Sequence, residues 1–307
     1  MKITNNYNLP KPILNSLKNN RYKKGRWDYS ISDLIKPPQE LKLKKEHYKD
    51  ITKDITDCMF ALEGTILHNI LQGSFLDKIK RHIKNIFSNQ KEIIEKRKYI
   101  RIKNKTISGQ PDRVLIDKKN KTVIIQDWKR VSVWKDIIGD YTDYETQLNC
   151  YAFFYERLGY KVKSLELILF FRDWSYTNAQ RKAEYPKQQI ITKKIKKWSA
   201  VVTLDYIFTA IEDLREKKTR PCTKNEMWIR DEAFAVKQKN VQKAKRVFAT
   251  KAEAQNYIDE NFNDNKNIYI EYRPGTATKC ERYCDVSNFC TQYKNFNLKK
   301  EENKNGK

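Results

Sequence analysis

No apolar run in this 307-residue chain approaches the roughly 18 residues a membrane-spanning helix needs, and the longest, Leu165 to Phe171, already carries Glu166. The opening residues, MKITNNYNLPKPILN, lack the apolar centre of a secretory leader. A membrane partner is therefore not expected, and a reducing, cytoplasmic setting is. Cysteine is sparse: six residues are too few for a disulfide scaffold in a chain of this length. Histidine is sparser still, at three. Acidic residues are in deficit, 38 against 63 lysines and arginines, which leaves a formal charge of +25. A surplus of that size disfavours a purely small-molecule role and favours a polyanionic partner. No internal repeat is present.

What is there excludes a disordered basic tail. Hydrophobic residues make up 39% of the chain, with 13 Phe, 18 Tyr and 6 Trp. Residues 1–25 hold six basic residues and no acidic one, and read as a flexible basic arm. From Ile51 to Phe87 apolar residues recur at helical spacing, with a break at Gly73-Ser74 that predicts two helices. Strands follow at Tyr99 to Lys103, Val114 to Asp117 and Thr122 to Trp128, the last two joined by a Lys118-Lys119-Asn120-Lys121 turn. A long helix is predicted from Trp134 to Leu158, stopped by Gly159, and then strands at 162–171 and 190–196 and a helix at 204–217. After Cys222 come a strand pair, a helix and a strand, up to Tyr272. The tail, 299–307, has no apolar residue and is expected to be disordered. This order describes an α/β protein with a mixed sheet and helices packed on it.

The chemistry concentrates in Gly109-Gln110-Pro111-Asp112-Arg113-Val114 and Ile124-Ile125-Gln126-Asp127-Trp128-Lys129. Side chains alternate along a strand, so Asp127 and Lys129 share the face of Val123 and Ile125, while Trp128 points to the other. A hairpin brings Asp112, at the start of one strand, beside the end of the next. Two carboxylates and an ammonium then converge, a grouping suited to metal-assisted phosphodiester hydrolysis. The acids would hold Mg²⁺ or Mn²⁺, and the lysine would serve the attacking water and the charge growing on phosphorus oxygens.

Asp112 with Asp127-Trp128-Lys129 resembles the PD-(D/E)xK nuclease superfamily. Two flanking segments are similar to its RecB-type branch, which includes AddAB/RecBCD nuclease domains and the CRISPR adaptation exonuclease. Glu63-Gly64-Thr65-Ile66-Leu67-His68 is similar to the helical G-x-x-x-H motif, and Gln147-Leu148-Asn149-Cys150-Tyr151 to the Q-x-x-x-Y motif. The resemblance covers residues 50 to 175 and the C-terminal cysteines. It implies His68 as a further ligand beside Asp112, Asp127 and the Trp128 backbone carbonyl. It also implies Gln147 and Tyr151 as substrate-positioning residues, with Glu63 in a weaker place because it lies about 140° round the helix from His68. Gly64, four residues before His68, would let a strand or substrate approach the imidazole.

Cys280-x3-Cys284-x5-Cys290 offers three soft ligands, and a fourth would close a Zn²⁺ site or a [4Fe–4S] cluster. The resemblance implies the cluster. Cys222, in a loop after Pro221, is preferred as the fourth ligand over Cys58, which sits at an apolar helical position; Cys150 reads as packing. The fold implied is a restriction-endonuclease-like mixed sheet core (26–222), with an inserted hairpin and helix subdomain (223–276) and a C-terminal cysteine metal clip (277–298) closing onto the core. The activity implied is a divalent-metal-dependent DNA nuclease, an exonuclease on single strands or duplex ends, in recombination, repair or replication, with a helicase or recombination protein as a further partner. The alternative is a non-catalytic nucleic-acid-binding protein with a structural metal. Basic residues interleaved with aromatics at Lys129 to Lys135, Phe171 to Tyr176 and Lys194 to Trp198, and a lysine-rich strand pair at 237–246, form the expected DNA surface.

Overall fold

Residues 1–19, 25–215, 219–262 and 265–305 are described in a computed structural model of the chain. They form an α/β protein that divides into two units, residues 2–36 with 52–216, and Met1 with 37–51 and 217–307. No helix among the described residues is long and apolar enough to cross a membrane.

In the first unit, Gly73 (φ +78°) stops helix α1 (Met59–Gln72), and Ser74 starts α2 (Phe75–Phe87) by accepting from the Asp77 amide in a capping box. Five strands make a mixed sheet: β1 (Gln90–Ile94), β2 (Arg113–Asp117), β3 (Thr122–Val131), β4 (Lys161–Phe171) and β5 (Ile190–Ile195), in the order β5-β4-β3-β2-β1. Only β3 and β4 run parallel. A parallel pair needs a crossover, and α3 (Val133–Ile138) and α4 (Thr142–Arg157) supply it. The single long helix expected there is broken because Gly139 takes the left-handed conformation at φ +72°. Every residue of α4 from Thr146 to Tyr155 is buried, because the helix packs on β4, which carries buried Leu165, Leu167, Leu169 and Phe171, and on β3, and is also met by the helix Ala200–Arg215 and the strand Lys98–Ile102. Each such large side chain contributes about 1.5–3 kcal/mol on burial. A separate three-stranded sheet (Tyr29–Ser30, Lys98–Ile102, Lys105–Gly109) adds Ile102 and Ile107 to the same core, and α5 (Ala200–Arg215) adds Ile207 and Ile211.

In the second unit, β6 (Ala233–Gln238), β7 (Arg246–Phe248) and β8 (Ile268–Arg273) form an antiparallel sheet in the order β7-β6-β8, and α6 (Lys251–Phe262) packs against it. α7 (Thr278–Arg282) and α8 (Thr291–Asn305) carry the cysteine segment. Helix Pro38–Glu46 and its sequel join that segment through the Lys279–Glu40 and Lys44–Asp285 ion pairs, both 2.8 Å, and through the His47 ring stacked on Phe289.

Three expectations about organisation are corrected. The arm is structured over its described residues: Lys2–Thr4 pairs in parallel with Thr52–Asp54, and Lys11–Asn19 is helical. The Asp54 carboxylate fastens it, accepting from the Asn6 amide at 2.8 Å and the Thr4 hydroxyl at 3.2 Å; residues 20–24 lie outside the described ones. The tail is helical through Asn305, because Lys and Glu are good helix formers continuing a helix already begun at Thr291, while 306–307 lie outside the described residues. The cysteine segment does not group with 26–222 as a whole; of that range it groups with 37–51 and 217–222, and beyond it with 223–276, Glu40 pairing with its Lys279 and Lys44 with its Asp285.

Candidate active site

β3 is a central strand, so Val123, Ile125 and Asp127 along one face are all buried, Asp127 to 1% exposure. The pairing of Arg113 with Gln126 carries Asp112 to where β2 leaves β3, and there its Oδ2 accepts from the Trp128 amide at 2.5 Å. A residue's N–H and C=O face the same strand edge, so the Trp128 carbonyl also lies on the Asp112 side. Lys129 Nζ meets Asp127 Oδ2 at 2.6 Å, and that buried oxygen makes no well-aligned hydrogen bond. His68, on α1, brings Nδ1 to 3.5 Å from Asp112 Oδ1, and its ring tilts against Trp128 at 6.0 Å between centroids. Asp112 thus stands between His68 and the strand segment carrying the Asp127–Lys129 pair, and Asp127, Lys129 and His68 all act on its charge.

Glu95 completes the group and was not anticipated from the sequence. It follows β1, which pairs antiparallel with β2, so its backbone amide donates to the Asp112 carbonyl at 2.9 Å and its side chain arrives beside His68. Glu95 Oε1 lies 2.8 Å from His68 Nδ1, and Gln72, one turn beyond His68, donates to Glu95 Oε2. Its backbone is left-handed (φ +46°), a conformation uncommon outside glycine that points to a constrained position. No strand was expected at 90–94, so nothing in the sequence marked the acid that follows it. Among the described residues, His68, Glu95 and Asp112 are the group of metal-ligating side chains whose donor atoms all lie within 4.8 Å of one another.

Electrostatics follow from burial. Desolvation, then the Asp127 charge, pushes Asp112 up to about 7 against the opposing pull of Lys129, His68 and the Trp128 amide. The Glu95 hydrogen bond raises His68 against desolvation, and Asp112 adds to the rise. Burial alone would lower Lys129, but Asp127 and Asp112 outweigh it and hold it above the usual lysine range. Lys129 also lies over the Tyr144 ring at 5.5 Å, as Lys135 does at 5.2 Å.

Gln147 donates to Tyr151 Oη at 2.9 Å, and both are buried. Burial and the Asp127 charge raise Tyr151 well above its ordinary value, which puts the pair behind the acids. Gly109 permits this packing, since a Cβ there would stand 2.7 Å from Ile31 and 3.1 Å from Tyr151. Glu63 turns to Arg130, at 3.2 Å, rather than into the group. A Cβ at Gly64 would meet nothing within 4 Å, so no strand approaches there and the space beside the helix stays open.

The expected DNA surface is only partly exposed. Trp134 and Tyr176 are open, whereas Phe171 is core, and the Trp174 and Trp198 indoles donate to Pro186 and Glu145. Lys237 is buried against Glu271, because β6 is the central strand of its sheet.

In the second unit Cys222, Cys280, Cys284 and Cys290 line one cavity with Gln39, Glu40 and Lys279. All are free thiols, and burial pushes Cys222 and Cys280 up to about 12. Gln39 donates to Cys290 Sγ at 3.3 Å, and the Gln292 amide bonds both the N–H and the C=O of Cys222 at 2.8 Å. Cys58 stands apart in the first unit, its Sγ donating to the Asp54 carbonyl, and Cys150 is in the core.

No family model matches the chain, and no curated protein matches it. The solved structure titled "Crystal structure of SSO0001" is similar over 70% of this chain and 89% of its own, at 16% identity and a TM-score of 0.43, a likeness too loose to carry any assignment of role.

Proposed function

We propose that the chain is a divalent-cation-dependent nuclease hydrolysing DNA phosphodiester bonds, an exonuclease on single strands or duplex ends built on a restriction-endonuclease-like core. The observation that carries this reading is the approach of buried Asp112 and Asp127, the Lys129 ammonium and the His68 imidazole where β2 leaves β3. The donor set fits Mg²⁺ or Mn²⁺: hard carboxylate oxygens from Asp112 and Glu95 with the His68 imidazole, all within 4.8 Å of one another, and the buried Asp127 carboxylate would be a further ligand. When bound, such an ion supplies a water of lowered pKa and neutralises charge on the phosphate. Lys129, beside Asp127, would serve the attacking water and offset the charge growing on the phosphorus oxygens. Gln72 and Glu95 hold the imidazole in its orientation.

End-labelled single-stranded and duplex oligonucleotides, incubated with and without Mn²⁺, test the reading. Cleavage is expected only with the metal, and Asp127→Ala or Lys129→Ala should slow it by about 10²-fold or more while DNA binding persists. Full activity in either variant removes that residue from the mechanism. Binding without any cutting by the wild-type chain leaves the non-catalytic alternative.

The four cysteines that line one cavity of the second unit are soft ligands for a [4Fe–4S] cluster, the group the RecB-type resemblance implies, with Zn²⁺ as the alternative. The Cys222, Cys280 and Cys284 thiols, raised by burial, would give up their protons on ligation. Anaerobically purified protein should be brown with a broad visible absorption band and carry iron; colourless protein with stoichiometric zinc overturns the cluster.

A further inference from the structure

Helix α2 is built inside out. Phe75, Leu76, Ile79, Ile83, Ile86 and Phe87 fall within about 120° of its circumference, and all are exposed, from 40% for Ile79 to 85% for Phe87. The polar side is the one that meets the protein. Arg81 donates to the Gln72 carbonyl at 2.8 Å and pairs with Glu92 at 3.3 Å, and Asn85 exchanges two 2.7 Å hydrogen bonds with the Glu92 backbone. A surface helix normally turns its apolar stripe to the core. At ~180 Å² for a large apolar side chain, this stripe exposes on the order of 700 Å². That exceeds the ~300–600 Å² patch of a typical monomer and approaches the ~800 Å² that one partner brings to a standard interface.

The spacing names the occupant. Leu76, Ile79, Ile83 and Ile86 lie three, four and three residues apart, the a/d seam of a helix that packs on another helix rather than on a flat surface. Laid antiparallel on a second α2 about a two-fold axis at residue 81, Phe75 meets Phe87, Leu76 meets Ile86, and Ile79 meets Ile83. Each copy fills the other's seam, the self-complementarity that a two-fold interface demands. We propose that two copies of the chain pair through antiparallel α2 helices. The seam holds no charge, while each copy carries +25, so association works against like-charge repulsion and tightens as salt screens it.

Sedimentation velocity on the full chain, from about 1 to 100 µM, should show the 36.8 kDa species giving way to one of twice that mass, more readily as salt rises. Ile79→Glu and Ile83→Glu alter exposed positions, so circular dichroism, and Tm at concentrations where the wild type is monomeric, should be unchanged while dimerisation shifts at least a hundredfold to higher concentration. Leu298→Glu, exposed in α8, should leave the dimer intact. A chain that stays monomeric throughout, a dimer that survives both substitutions, or one that dissociates with salt overturns the proposal. So does a monomer that floats with phosphatidylglycerol vesicles, which would make the occupant a lipid surface.

Discussion

Asp112 is the most perturbed acid of the candidate site. It is buried beside a second carboxylate and takes its proton back near pH 7. A divalent cation must find that carboxylate ionised, so below about pH 7 metal binding displaces a proton. Mn²⁺ affinity should therefore fall roughly tenfold per unit as the pH drops below 7 and level off above it, with proton release readable by calorimetry in buffers of different ionisation enthalpy. Asp112→Asn should weaken binding and reduce the dependence to the share that the raised His68 imidazole contributes. Asp112, Asp127, Lys129 and His68 were legible because residue type, order and strand parity suffice to bring them forward. Glu95 was not. Its place depends on β1 pairing with β2, and nothing in a lysine-rich stretch announces that an edge strand ends in a left-handed residue at the site.

Elements were legible where the pattern is local. The α1–α2 break at Gly73-Ser74 and the strand pair around Lys118 follow from capping and turn chemistry, whereas a predicted single helix became α3 and α4 through one left-handed glycine. The first strand, Lys2–Thr4, escaped notice because its partner is fifty residues away and its clasp is one side chain, Asp54. The Asn6 and Thr56 amides hold that carboxylate down to about 2 from 3.8. With a folded value below the unfolded one, the clasp is complete above about pH 3.8 and is lost as the pH falls through about 2. Amides of residues 2–6 should lose hydrogen-exchange protection across that interval, and Asp54→Asn should remove it at neutral pH.

At the scale of the molecule, charge and division into units matter most. If six or more of the surplus cations meet phosphates, affinity for a DNA oligonucleotide should drop about 10³-fold or more between 50 and 200 mM salt. Lys129→Ala should show nearly the same slope, because one cation among many is removed. A titration by fluorescence anisotropy in metal-free buffer reads both. A flat salt response would show that the excess charge is spread over the surface rather than gathered on a DNA path.

Taken alone, the residue string determined what is local or compositional: the α/β order of elements, the strand-end acids and lysine, the free cysteine pattern, and the excess of positive charge. Tertiary structure decided which distant segments share a unit, that four cysteines line one cavity while Cys58 does not, that Glu95 joins His68, and that α2 turns its apolar face outward. These depend on pairings across tens to hundreds of residues, where the free energy comes from contacts that no neighbouring residue specifies.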